Sequence, residues 1–446
     1  MSKLSGFPEF LPAGRNAELI VLDHLRRVFE LHGFASIETR AAEPMDQLLR
    51  KGEIDKEVYV LRRLQAGDND SDTGLGLHYD LTVPFARYVL ENAGKLEFPF
   101  RRYQIQKVWR GERPQEGRFR EFTQADIDIV ARDDLPFHFD VEVARVMAEA
   151  LSGLPVPALR MQVNNRKLLE GFYLGLGVSD AAAVMRIVDK LDKLPGDKVF
   201  ELLQSDAGLT AKQAGKCLDL AQISTPDASF VNQVRDLGVS HDLLDTGLAE
   251  LAGILDAVSG VGATTGIDGV DIVADLRIAR GLDYYTGTVF ETQMAGYEHL
   301  GSVCSGGRYD QLASDGKNTY PGVGISLGVS RILVPLINRG LETDRSVPSA
   351  VLVALVDEDS RSVSDDVAQQ LRARGIPTEV AATAQKFGKQ IRYAERRGIP
   401  YVWFPATAEN PHQVKDIRSG DQAYAQPADW APPAEDLYPR IKEQDQ

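Results

Sequence analysis

Apolar residues at helical spacing open the chain. Leu19, Leu22, Leu25, Val28 and Phe29 recur across residues 16–33, NAELIVLDHLRRVFELHG, and Gly33 follows as a stop. This spacing predicts an amphipathic helix. A strand-like segment follows at 34–39, and a Gly/Asp/Ser/Thr-rich stretch, QAGDNDSDTG at 65–74, reads as a loop. Residues 81–92 read as a helix, 100–110 and 121–130 as two strands around a charged loop, and 139–153 as another helix. Between 165 and 260 the pattern changes, with helical segments such as DAAAVMRIVDKLDKL and HDLLDTGLAELAGILDAVSG following one another. Strand patterns return near 270, and the polar NRGLETDRSVPS at 338–349 reads as a linker. Beyond it AVLVALV, DDVAQQLRARG, PTEVAA, GKQIRYAERRG and PYVWFP alternate strand with helix, the signature of a small α/β domain.

At 446 residues the chain is too long for one core, and two or three domains are expected. The apolar and charged fractions, 43% and 26%, are those of an ordinary soluble protein. No run approaches the roughly 18 apolar residues of a membrane span. The opening MSKLSGFPEFLPAG lacks the apolar centre of a signal peptide. Cys217 and Cys304 stand outside any CxxC or Cys/His cluster, which argues against a disulfide scaffold or structural zinc. A cytoplasmic location without membrane association is the expectation.

The formal charge of −15 argues against non-specific nucleic-acid binding over the whole surface. Two local basic stretches stand out against it. Residues 98–120 hold seven Lys or Arg against two acids, and residues 385–400 hold five against one.

The first of these stretches carries chemistry. In a strand every second residue shares a face, so Arg102, Gln104, Gln106, Val108 and Arg110 align on one strand, and Phe122, Gln124, Asp126 and Asp128 on the next. Such a polar row either meets a ligand or an ordered network, or lies on a solvated face of an antiparallel sheet. The loop GERPQEGRFR adds Arg113 and Arg118. Guanidinium forks match phosphate and carboxylate, so a hairpin that gathers them calls for an anion. No GxxxxGK[ST] or GxGxxG motif offers another phosphate cradle.

At these residues the sequence resembles the class II aminoacyl-tRNA synthetases, and among them the histidyl-tRNA synthetases. FRRYQIQKVWRGERPQEGRFREFTQADIDIV is similar to the family's motif 2, and GVGISLGVSRILVPL (322–336) to its motif 3. RGLDYYTGTVFE (280–291) and CSGGRYDQL (304–312) resemble the two histidyl-specific signatures, while LHYDLTVPFARYV and NNRKLLEGF are further stretches typical of the family. The resemblance runs from about residue 6 to 425. It departs in motif 1, FASIETRAAEP, where Arg40 stands at the usual proline and the nearest proline is Pro44.

The resemblance implies an α+β fold, with a class II antiparallel sheet flanked by helices, a helical insertion and a C-terminal α/β anticodon-binding domain. The expected divisions are 1–164 and 266–337 for the catalytic domain, 165–265 for the insertion, 338–348 for a linker and 349–446 for the anticodon-binding domain. It implies a two-step ligase: histidine and ATP give histidyl-adenylate and pyrophosphate, and the 3′-terminal ribose of tRNA(His) then takes the histidyl group. Arg110 and Arg280 match the α-phosphate arginines, Gln124 joins them as catalytic, Glu112 matches the adenine reader, Arg331 the γ-phosphate arginine, and Arg118 completes the ATP set. Asp128 and Tyr285 match the imidazole readers. Asp80, Leu81, Thr82 and Gln124 match the segment holding the α-amino group, and Tyr284 and Tyr309 line the same pocket. Arg113, Gln115, Lys386, Lys389 and Arg392 are the expected tRNA contacts. ATP as substrate, Mg2+ and a homodimer complete the expectation. The competing readings are the non-catalytic regulatory subunit of ATP phosphoribosyltransferase, which shares the fold, and a class II synthetase for another amino acid. Cys304 is expected to be a packed residue without nucleophilic function.

Overall fold

The computed structural model describes residues 4–49, 57–64, 74–259, 269–279, 285–311 and 313–442. The chain forms two compact units, one comprising Leu22–Pro335 with the residues before Glu9, the other Glu9–Val21 with Leu336 onward. The amphipathic helix, α1 at Pro12–Leu31, is longer at its start than its apolar spacing indicates, and Leu25 and Phe29 are fully buried as that spacing requires.

In the first unit the strands are β1 Ala35–Ser36, β2 Ala42–Pro44, β3 Val60–Leu61, β4 Leu75–Leu77, β5 Phe100–Trp109, β6 Glu121–Val130, β7 Leu159–Asn165, β8 Ser224–Thr225, β9 Val270–Asp275, β10 Thr288–Met294, β11 Cys304–Tyr309 and β12 Gly322–Gly328. Nine of them, among the described residues, make one sheet in the order β1-β5-β6-β12-β11-β10-β7-β9-β8, and β2-β4-β3 make a small second sheet. Pairing is antiparallel except for β1 with β5 and β7 with β9. The segment read as a strand at 34–39 pairs over only Ala35–Ser36 before one further bond from Ile37 N–H to the Tyr103 carbonyl. Arg40, in place of the family's proline, donates to Glu43, whose carboxylate also receives Arg87.

Helices α2 Met45–Leu48, α3 Thr82–Asn92, α4 His138–Ser152 and α5 Arg166–Gly175 lie between these strands. The helical stretch supplies α6 Ala181–Val188, α7 Gly196–Ser205, α8 Ala211–Ala221, α9 Phe230–Asp236 and α10 Asp242–Ser259. Local sequence sets their starts: Asn165 caps α5 by accepting from Lys167 N–H, and Thr210 with Gln213 forms a capping box at α8. Short β8 lies within this stretch and pairs with β9, so the main sheet takes its edge strand from it. Helix α10 packs on α4, α5, β7 and β9, while α4 packs on β6, β9 and β12. Ala125, Ile127 and Ile129 of β6 are fully buried and alternate with the polar row. The apolar row supplies core beneath α4, which leaves Gln124, Asp126 and Asp128 on the opposite face. Motif 3 continues from β12 into α11, Val329–Asn338.

The second unit holds β13 Val351–Val353, β14 Thr378–Val380, β15 Tyr401–Phe404, β16 Gln413–Asp416 and β17 Gln422–Tyr424, in the order β14-β13-β15-β16-β17. Helices α12 Arg361–Ala373 and α13 Phe387–Arg397 connect its parallel strands. The polar segment at 338–348 is ordered within this unit: Leu341, Thr343, Arg345 and Val347 are buried, and Arg345 donates to the Asp436 carbonyl at 2.8 Å.

Candidate active site

The two strands of the charged hairpin meet in a register that brings the two polar rows face to face. Arg102 stands opposite Asp128, Gln104 opposite Asp126, Gln106 opposite Gln124 and Val108 opposite Phe122. Most of this row is buried, with Gln106 and Phe122 half-buried, and its polar members are networked. Arg102 and Asp128 approach to 2.6 Å, with the Arg102 guanidinium 4.2 Å above the Phe85 ring. Tyr309 O–H donates to the other oxygen of Asp128 at 2.6 Å. Gln104 donates to Thr39 Oγ1 at 2.9 Å and to Gln106 at 2.6 Å, and Gln106 donates to the Thr39 carbonyl at 2.9 Å. The solvated-face reading of the alternation is thereby set aside.

On the next strand, Ser326 of β12 donates to Asp126 at 2.5 Å and accepts from Gln124 Nε2 at 2.7 Å. Gly324 sits opposite Asp128 on the same strand. A Cβ at Gly324 would lie 2.1 Å from an Asp128 carboxylate oxygen, so a hydrogen side chain is required there for the carboxylate to lie flat on the sheet. Burial pushes the Asp126 carboxyl up to about 7, against the opposing pull of Arg102. Burial likewise raises the Cys304 thiol, in keeping with a packed and unreactive residue.

Two cavities open on this face. The larger, about 340 Å³, is lined by Arg110, Glu112, Arg118, Gln124 and Arg331, with Phe122, Ser305 and Ser326 among its other walls. Its size falls within the roughly 300–1,000 Å³ usual for small-molecule sites. Arg110 is held in place: its Nε donates to the Tyr79 carbonyl at 3.0 Å and its guanidinium lies 5.1 Å from the Phe122 ring. Glu112 stands between Arg110 and Arg118, 3.9 and 3.7 Å away. Arg331 donates to the Ser302 carbonyl at 2.9 Å. The smaller cavity, about 20 Å³, is lined by Thr82, Asp126, Asp128, Tyr285 and Tyr309 and shares Ser305 and Ser326 with the larger.

The structure thus gathers Arg110, Glu112, Gln124, Arg118 and Arg331 around one space, and Thr82, Asp128, Tyr285 and Tyr309 around the adjoining one. Leu81 is fully buried and lines neither; Asp80 spends one carboxylate oxygen on the Val83 N–H at the start of α3, 3.0 Å away. Arg113 and Gln115 are exposed on the hairpin loop, where Gln115 pairs back to Arg118. Arg280 and Tyr284 lie outside the described residues. The sequence reading did not single out Arg102, Asp126, Ser305 or Ser326 as site residues. The alternation marked the first two, whereas the serines come to the site only through the pairing of β12 with β6 and β11.

In the second unit Lys386, Lys389 and Arg392 are exposed on or beside α13. Lys389 and Arg392 border a cavity of about 590 Å³ with Gln385, Tyr393 and Arg396.

A family model described as histidyl-tRNA synthetase matches residues 6–332, and one described as an anticodon-binding domain matches residues 350–422. A histidine–tRNA ligase of Cutibacterium acnes is 58% identical, spanning 99% of this chain and 98% of its own. One of Micrococcus luteus is 56% identical with the same coverage, 99% and 98%. Among solved structures, a histidyl-tRNA synthetase from Nostoc sp. PCC 7120 superposes with a TM-score of 0.83 at 33% identity, covering 95% of this chain and 96% of that one.

Proposed function

The chain belongs to the histidyl-tRNA synthetase family, and from that premise we propose how its residues carry out the reaction. The protein ligates L-histidine to tRNA(His), with ATP as the activating substrate. In the first step a carboxylate oxygen of histidine attacks the α-phosphorus of ATP, the bond to the pyrophosphate oxygen breaks, and histidyl-adenylate remains. In the second, a hydroxyl of the tRNA 3′-terminal ribose attacks the histidyl carbonyl and AMP departs.

The observation that carries the assignment of roles is the pair of cavities joined at Ser305 and Ser326, one ringed by arginines and the other by a carboxylate and phenols. ATP occupies the larger. Arg110 meets the α-phosphate, where charge develops in the transition state; Arg331 meets the γ-phosphate, Arg118 adds charge, and Glu112 reads the adenine. Arg280 is assigned beside Arg110 on the α-phosphate from the sequence motif. The imidazole enters at Asp128, Tyr285 and Tyr309, with Tyr284 assigned there from sequence. Thr82, Asp80 and Gln124 receive the α-ammonium, and Leu81 contributes only packing. A pocket that hydrogen-bonds both ring nitrogens rejects isosteres because its buried polar groups would be left unpaired.

Among the described residues no group of three or more His, Cys, Asp or Glu is arranged to hold a metal ion. Mg2+ would come with the ATP phosphates, as is usual for a cation that keeps several waters and takes few protein ligands. Arg113 and Gln115 are placed to meet the acceptor end of the tRNA, and Lys386, Lys389 and Arg392 its anticodon arm. We propose the division of the first unit into a catalytic domain and a helical insertion at 165–265. A homodimer in the cytoplasm rests on the family alone; among the described residues no helix is long and apolar enough to cross a membrane. Histidine-dependent exchange of pyrophosphate into ATP, without tRNA, tests the first step.

A further inference from the structure

We propose that Asp126 and Ser326 are positioning residues that fix which end of the Gln124 side-chain amide faces the substrate. A serine hydroxyl has one proton and an ionised carboxylate can only accept. Ser326 Oγ lies 2.5 Å from Asp126 Oδ1, so its proton goes to the carboxylate. Its remaining capacity is as an acceptor, and it takes the N–H of Gln124 at 2.7 Å. The amide is thereby oriented with its oxygen directed away from Ser326. That oxygen, Oε1, is buried and has no hydrogen-bond partner among the described residues. A buried acceptor without a donor is costly, and the proposed α-ammonium of histidine supplies three. Asp126, on the wall of the smaller cavity, thus acts on the substrate through Ser326 at the seam and Gln124 on the larger.

The same chain of bonds can reverse. A protonated Asp126 donates to Ser326, Ser326 then donates onward, and the Gln124 oxygen turns towards it and away from the substrate. Among the described residues, Arg102 on β5, Asp128 on β6, Asp80 ahead of α3 and Cys304 on β11 act on Asp126 electrostatically, and the phenols of Tyr285 and Tyr309 line the same cavity. Burial raises the Asp126 carboxyl to about 7 over the pull of Arg102. Histidine binding therefore weakens as pH falls through neutrality, beyond what titration of the free amino acid causes.

This inference rests on Gln124 contacting the α-ammonium, and the experiment separates the two claims. Histidine-dependent pyrophosphate exchange is measured for wild type, Gln124→Ala, Ser326→Ala and Asp126→Asn, from about pH 8 down to about pH 6. The expected result is a KM for histidine raised about tenfold in Ser326→Ala, the loss of one oriented hydrogen bond. The KM for ATP stays within about twofold, and the double variant with Gln124→Ala shows no further loss. In Asp126→Asn the histidine KM follows only the titration of histidine itself, whereas in wild type it rises more steeply towards acid. A raised KM in Gln124→Ala with an unchanged KM in Ser326→Ala overturns the relay and keeps the Gln124 contact. An unchanged histidine KM in Gln124→Ala overturns both. If Ser326→Ala does not fold, the pH profile of Asp126→Asn decides: a profile parallel to wild type overturns the proposal.

Discussion

Arg102 and Asp128 face each other across the β5–β6 hairpin as a buried ion pair 2.6 Å apart, and the Asp128 carboxylate is also held by Tyr309. The pair therefore fixes the position of the proposed imidazole reader before any substrate arrives. Removing one partner of such a pair strands the other charge in a dry site. Arg102→Met is expected to lower unfolding free energy by about 3–5 kcal/mol, whereas replacing both residues with apolar ones costs far less. Urea unfolding of the single and double variants checks this, and equal losses would place the pair in a more solvated setting than the structure gives it.

Asp128→Ala is expected to raise the KM for histidine by roughly 10- to 100-fold, as for loss of a hydrogen bond to a charged group, with the KM for ATP little changed. Steady-state exchange kinetics with each substrate varied in turn distinguishes the two. Equal effects on both constants would put Asp128 outside the imidazole pocket.

Arg110 is preorganised by the Tyr79 carbonyl and the Phe122 ring at one wall of the larger cavity. Arg110→Ala should therefore lose catalysis more than binding, by about 10²–10³ in kcat, the usual cost of one preorganised donor. Single-turnover adenylate formation measures it. A change confined to the KM for ATP would mean that Arg110 serves only to bind the ground state.

The Asp126 carboxyl also makes stability depend on pH. Its folded value of about 7 lies above the value of about 4 for an unfolded aspartate. Between these values the folded chain retains a proton that the unfolded chain has released, so the contribution is full in acid and is lost as pH rises towards 7. Asp126→Asn does not titrate. Its stability relative to wild type should climb with pH across that window, by at most about 1.4 kcal/mol per unit, and level off above it. Urea midpoints at a series of pH values test the slope.

Much of this site was legible before the structure. The alternation through Arg102–Arg110 and Phe122–Asp128 placed the polar rows correctly, because the hairpin is local and a two-residue period fixes which side chains share a face. The serines were not legible as site residues. Ser326 reaches Gln124 only because β12 pairs with β6 from some two hundred residues away, and nothing local to GVGISLG marks which strand it will join. The same limit applies to Ser224–Thr225, which lies in a helical stretch and becomes the edge strand of the main sheet. The polar composition of 338–348 suggested a linker, yet Thr343 and Arg345 are buried, Thr343 donating to the Arg345 carbonyl and Arg345 to that of Asp436, contacts that composition does not reveal. The roles given to Arg280 and Tyr284 rest on their motif.

The tRNA assignment separates cleanly from the first step. Replacing Lys389 and Arg392 by Ala should weaken tRNA charging while leaving pyrophosphate exchange intact. Each lost phosphate contact should reduce the salt dependence of tRNA affinity by roughly one unit of slope. Loss of exchange in the same variant would tie these residues to the catalytic unit.

One cleft is proposed to activate histidine and no other amino acid. The most direct measurement is pyrophosphate–ATP exchange by the purified chain without tRNA, with each of the twenty amino acids supplied separately. Exchange with histidine alone, abolished by Arg110→Ala, is the predicted result. Exchange with a different amino acid, or none with histidine from a folded protein that still binds it, would contradict the account.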